Sequence, residues 1–78
     1  MRKVKVSKKS KNENSFRTPL SDLDYIQNDP IVGLPFFIGS TTHESGGILT
    51  SDLEMVENLD DLGFIIYTLN SVYKIEFI

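Results

Sequence analysis

The order of apolar and polar residues divides this 78-residue chain into segments of different rhythm. Val4 and Val6 alternate with lysines, a period of two that predicts a short strand, and lysine suits a sheet edge. From Ser7 to Ser15 no apolar residue occurs. Such a stretch buries too little surface to offset its ordering entropy. Residues 1–17 are therefore expected to form a basic, mostly disordered tail ahead of a single acidic globular domain at 18–78.

The rhythm then becomes helical. Thr18 fits an N-cap and Pro19 the first helical position, where no N–H is needed. Ser21, Asp22 and Asp24 fall in the first turns, and their carboxylates complement the helix dipole. Leu20, Leu23 and Ile26 recur on one face, and Asn28-Asp29-Pro30 closes the element. A short helix over 19–28 is predicted.

Residues 31–38 (IVGLPFFI) are apolar but broken by Gly33 and Pro35, which predicts an edge or bulged strand. Residues 39–47 are a polar turn or loop. Strand signals follow at 48–50, 53–56, 63–69 and 72–77. Asn70-Ser71 separates the last two, and Asn70 tolerates the left-handed conformation of a tight turn, so a hairpin of 63–69 with 71–77 is expected. Tyr67, Tyr73 and Phe77 are available for cross-strand aromatic pairing. Residues 51–62 carry two readings. As a helix, Ser51 and Glu54 make a capping box, Leu53, Val56, Leu59 and Leu62 recur every third position, and Gly63 follows the end. As a strand, Leu53 and Met55 alternate with Glu54 and Val56 ahead of an acidic turn.

Composition weights these readings toward β structure. The chain has no alanine and no tryptophan and is rich in isoleucine and aromatics. It has no cysteine, which excludes disulfides, thiolate metal sites and a cysteine nucleophile. No apolar run reaches the roughly 20 residues of a membrane helix, and the basic start lacks a signal-peptide core. A soluble intracellular protein, with no membrane partner, is expected.

Charge is divided more sharply than sequence pattern. Residues 1–17 hold seven of the eight basic residues and one acid, a formal +6, whereas residues 18–78 hold ten acids and one base, a formal −9. The two parts favour opposite partners. Catalytic chemistry finds little purchase. His43 is the sole histidine, with no metal-ligand spacing and no nucleophile elbow around any serine. Gly46-Gly47 lacks the context of a phosphate loop, and no acidic pair has EF-hand spacing. No enzyme activity, cofactor or metal is expected.

The segment GGILTSDLEMVEN and the following GFIIYTLNSVYKIEF resemble the ending of small proteins from phages and mobile elements of Gram-positive bacteria. The shared pattern is Thr50-Ser51, an acidic turn at Asp60-Asp61, and Thr68, Asn70, Ser71 and Tyr73. It covers about 33 residues and departs from the usual form at Asp52-Leu53. The resemblance implies strand rather than helix at 51–58. It also implies the company of small acidic phage proteins, some of which are anti-CRISPR or other anti-defence inhibitors.

The expected fold is thus a β-rich α+β domain. A short N-terminal helix precedes a three- to four-stranded antiparallel meander that ends in a hairpin, with a partly closed SH3-like barrel as one form of it. The first functional expectation is a non-enzymatic phage-type inhibitor. Its acidic, nucleic-acid-mimicking surface would enter the basic groove of a host nucleic-acid-handling protein, a CRISPR effector nuclease above others, through Asp22, Asp24, Asp52, Glu54, Glu57, Asp60 and Asp61. The alternative is a nucleic-acid-binding accessory protein that uses Arg2, Lys3, Lys5, Lys8, Lys9 and Lys11 of the tail. It ranks second because no aromatic is interleaved with those cations before Phe16 and an acidic body lies next to them.

Overall fold

In a computed structural model the regular structure of the described residues is almost entirely antiparallel β-sheet. Residues 1–17, 23–41 and 46–78 are described. Seven strands occur in chain order: β1 (Arg2–Ser10), β2 (Tyr25–Ile26), β3 (Phe37–Gly39), β4 (Gly47–Leu49), β5 (Met55–Asn58), β6 (Gly63–Tyr67) and β7 (Ser71–Phe77). They form one sheet in the spatial order β4-β3-β2-β1-β7-β6-β5. A 3-10 turn at Asp60–Leu62 leads into β6.

The tail expectation is overturned. The longest strand of the sheet is β1, and it lies inside the sheet. Arg2 and Lys3 pair with β2, and Val4 to Ser10 pair with β7. Val4 and Val6 are fully buried in the core. The alternation that places lysines outward also lowers the apolar content of the segment, so the strand resembles a solvated tail in composition.

The helix expectation is also overturned, over residues 23–28. Tyr25–Ile26 is strand, and its neighbour Asp24 is tied into the ladder on both sides. Its N–H donates to Gly39 O at 2.9 Å, and its carbonyl accepts from Val4 N at 2.9 Å. An isolated helix of about ten residues is marginal, so cross-strand pairing wins where Leu23 and Ile26 are buried by it. The expected helix start at Thr18 and Pro19, with Leu20 and Asp22, lies outside the described residues.

Other elements sit differently from their sequence patterns. In the segment 31–38 only Phe37 and Ile38 join a strand, and β3 is internal; β4 and β5 are the edges. Before it, residues 31–34 form a turn closed by Leu34 N to Ile31 O at 3.2 Å, with Gly33 at φ 92°. Residues 55–58 are strand, not helix. The final hairpin forms, but Asn70 is not left-handed. Among the described non-glycine residues only Asp60 has a positive φ, at 57°. The Thr68 hydroxyl closes the two-residue loop instead, accepting from Ser71 N and donating to Ser71 O, each at 3.1 Å.

The sheet curls until its margins meet. Thr50 N donates to Phe36 O, Leu53 N to Leu34 O, and Gly33 N to Leu53 O, all within 3.0 Å. One residue later Glu54 N donates to Tyr67 O at 2.7 Å, where β5 starts its pairing with β6. Because Met55 is the register partner of Tyr67, two residues oppose one there, a bulge that turns the chain from one margin to the other. The enclosed core contains Val4, Val6, Ile26, Ile38, Ile66 and Ile75, with Phe36, Leu53, Phe64 and Tyr73 around them.

Candidate nucleic-acid interface

Period-two alternation gives β1 two faces. Val4 and Val6 point inward, so Lys3, Lys5, Ser7 and Lys9 share the outward face. The ladder extends that face sideways. Lys3 is the direct partner of Tyr25, Tyr25 of Gly39, and Gly39 of Gly47. On the other side Lys5 faces Glu76 and Ser7 faces Lys74. Successive outward positions on one strand stand about 6.8 Å apart, so Lys3 and Lys5 are neighbours and Lys9 stands two positions further on, past the buried Ser7.

Aromatic rings flank this row on both sides. Tyr25 lies flat against Gly39, where any Cβ would overlap the ring. It meets Phe37 edge to face with 6.4 Å between centroids. Both rings are half-buried and share the outward face with the exposed Leu49. At the far end Phe16 folds back over the sheet, with Lys9 Nζ 5.5 Å and Lys74 Nζ 5.9 Å from its ring centre. Arg17 N donates to Lys8 O at 3.0 Å and holds that return in place.

The six tail cations thus divide. Lys3, Lys5 and Lys9 lie on the outward face. Arg2 has inward parity and stacks on Phe77, 3.7 Å from the ring centre. Lys8 lies over Tyr73 at 5.5 Å. Beyond the strand, Lys11 is paired with Glu54. Lys74, Tyr25, Phe37 and Phe16 join the outward group, although sequence pattern alone does not single them out. The Tyr25 and Lys3 pairing is long-range, so no local window carries it.

The seven acidic candidates do not converge on one surface. Asp22 lies outside the described residues. Asp24 is at β2, where its carboxylate accepts from the N–H and the hydroxyl of Thr41. Asp52, Glu54, Glu57, Asp60 and Asp61 follow one another along the β5 margin, and all five are exposed. Two of these have internal partners: Glu54 with Lys11, and Glu57 with the Tyr67 hydroxyl at 3.0 Å. Burial of the Tyr67 phenol, then its bond to Glu57, raises its pKa above the ordinary value. Among the described residues, the carboxylates of Asp52, Asp60 and Asp61 have no hydrogen-bond or ionic partner.

One acid is built into the basic end. Glu13 accepts from Ser10 N at 2.8 Å and from Arg17 at 3.3 Å. The Ser10 N–H above all holds its carboxyl below the usual range; desolvation, next in size, opposes this, and the Arg17 guanidinium adds to the lowering. Among the described residues no group of side chains could hold a metal ion, and no helix is long and apolar enough to cross a membrane. No known protein family, curated protein or solved structure matches this chain.

Proposed function

We propose that the protein is a binding module for single-stranded nucleic acid, engaged by the outward face of β1 and its neighbours. The reading is carried by the register of Lys3 with Tyr25, which sets aromatic rings beside a row of lysines. Single strands are held by cations that follow the phosphates and by aromatic side chains on which bases stack. Lys3, Lys5, Lys9 and Lys74 supply the cations, and Tyr25 and Phe37 supply the stacking surface. The aromatic partners that the tail lacks in sequence are delivered by its strand neighbours. That is why this reading stands ahead of the acidic one.

Fluorescence anisotropy with labelled oligo-dT and oligo-U tests it. Saturable binding at low salt is expected, weakening as salt rises because phosphate contacts release counterions. Lys3→Glu with Lys5→Glu should reduce affinity at least tenfold. Intact protein that binds neither oligonucleotide at low salt refutes the reading.

A second reading keeps the protein as a phage-type inhibitor with an acidic surface. It is favoured by the five exposed carboxylates from Asp52 to Asp61. A basic groove, such as the nucleic-acid channel of a CRISPR effector nuclease, would be its partner. Reversal of Asp60 and Asp61 to lysine should slow association with such a nuclease, most at low salt. Inhibition unchanged by that reversal removes this surface from consideration.

A further inference from the structure

At one mouth of the barrel a cleft of about 430 Å³ lies between residues 29–30 and the β5–β6 connection. The buried Phe64 and the half-buried Val56, Phe77 and Pro30 form its apolar floor. The rings of Phe64 and Phe77 meet edge to face, 5.9 Å apart. Asp29, Asn58 and Asp60 also line it, and all three are exposed. Among the described residues neither of those carboxylates has a hydrogen-bond or ionic partner. An adjoining hollow of about 190 Å³ shares Asp29 and Phe77, and Arg2 of this chain already stacks on the Phe77 ring there.

We infer that the cleft docks a cationic side chain, arginine before lysine, from an extended segment of a partner protein. The cleft is apolar below and anionic above. An arginine has an apolar stem that covers aromatic surface and a planar head that meets carboxylates with directed hydrogen bonds. The floor takes the stem, and Asp29 and Asp60 take the guanidinium. A purely apolar occupant would strip water from two carboxylates without replacing it. A phosphate would meet two like charges, so this is not an extension of the lysine face. The volume falls within the ~300–1,000 Å³ of small-ligand pockets and suits one side chain with its backbone. The inference does not depend on nucleic-acid binding.

Nuclear magnetic resonance titration of the full, ¹⁵N-labelled chain tests this. The probes are acetyl-Ala-Arg-Ala-amide and its lysine and norleucine counterparts, taken to roughly 10 mM to reach millimolar affinities. The arginine peptide should shift the amides of Asp29, Asn58, Gly63 and Phe64 saturably. The norleucine peptide should bind at least tenfold more weakly, with lysine between them. Asp29→Asn with Asp60→Asn should weaken arginine binding at least tenfold. Asp60→Gly is the second variant, since glycine accepts the φ of 57° at that position and the fold survives while the carboxylate goes. Glu57→Gln and Lys5→Glu, outside the cleft, should leave peptide binding in place, so failure of either functional reading above is told apart from failure here. Equal binding of arginine and norleucine peptides overturns the inference. So does the absence of shifts at these amides, or a concentration-dependent shift of the same amides without peptide, which would assign the cleft to a second copy.

Discussion

The rings of Phe36 and Phe64 meet edge to face, with 5.8 Å between centroids and 85° between planes. Phe36 immediately precedes β3 and Phe64 lies in β6, four strand spacings apart in the order of the sheet. A flat sheet would separate them by about 19 Å. Their contact therefore records how far the sheet has rolled, and it joins its two halves through the core. Thr50 supports it: its hydroxyl accepts from Phe36 N at 2.9 Å and donates to Ser51 O at 2.7 Å.

Phe64→Ala should cost about 3–5 kcal/mol, the usual loss for a buried aromatic. That is a large share of the stability of a small domain, so the variant should unfold at much lower urea. A double-mutant cycle with Phe36→Ala should return a coupling of about 0.5–1.5 kcal/mol from the ring pair. Additive losses would show that the rings are neighbours without interacting.

Removal of residues 1–10 should abolish the fold rather than trim a tail. The deletion takes out a strand between β2 and β7 and leaves both with unpaired backbone. It also removes Val4 and Val6 from the core. Collapse of amide dispersion in a proton–nitrogen spectrum is the expected result. A well-dispersed spectrum from the truncated chain would return β1 to the status of a tail.

Gly63→Ala and Gly46→Ala should differ widely. Both glycines have positive φ, 134° and 77°. At Gly63 an added Cβ would overlap the carbonyl oxygen of Ile75 in β7, whereas at Gly46 nothing lies within 4 Å. The first should cost about 3 kcal/mol or more and the second about 1 kcal/mol, by chemical denaturation.

The C-terminal half of the fold is legible in sequence because its pairing is local. The Gly63–Tyr67 strand is a continuous apolar run, the Ser71–Phe77 strand alternates Tyr73, Ile75 and Phe77 with Lys74 and Glu76, and a short loop joins them, so one short window contains the hairpin. The N-terminal third is not legible, because what orders it is distant. Val4 to Ser10 pair with Phe77 back to Ser71, at the opposite end of the chain. A strand with one face of lysine and serine has the composition of a solvated tail until that partner is known. Leu23 and Ile26 mislead for a related reason: spacing by three is compatible with helix, and only the strands on either side of Tyr25 decide against it. The same long-range pairing hides the candidate interface, since Lys3 and Tyr25 are remote in sequence and adjacent in space. The exposed acids from Asp52 to Asp61 are legible individually, but the tie of Glu57 to Tyr67 and of Glu54 to Lys11 is not.

Stability should respond to pH at both ends of the range with opposite signs. The folded Tyr67 phenol has a raised pKa, so the neutral form is favoured by folding. Its contribution is complete below the ordinary phenol pKa and is lost as pH rises through the folded value. The folded Glu13 carboxyl has a lowered pKa, so its contribution is present above the ordinary 4.5 and is lost as pH falls through the folded value. Tyr67→Phe should flatten the alkaline limb of a denaturation profile and leave the acid limb alone; Glu13→Gln should do the reverse. A Glu13 side-chain titration by NMR with a midpoint at or above 4.5 would contradict the Ser10 and Arg17 contacts.

Charge and stacking at the candidate interface can be separated by two substitutions. Lys5→Glu changes the cationic row without touching an aromatic ring. It should weaken oligonucleotide binding and make its salt dependence shallower by about 0.7 for each phosphate no longer neutralised, the single-strand value. Gly39→Ala acts on the ring alone. Gly39 has an ordinary strand φ, so alanine is tolerated by the backbone, but its Cβ would occupy the space of the Tyr25 ring. The ring must swing away from its seat, and the lysines stay where they are. Affinity for oligo-dT should then fall by the ~1–3 kcal/mol that one stacked base contributes, while the salt slope is unchanged. If Gly39→Ala binds as tightly as the parent chain in a folded state, Tyr25 does not stack on bases, and the face is a purely electrostatic one.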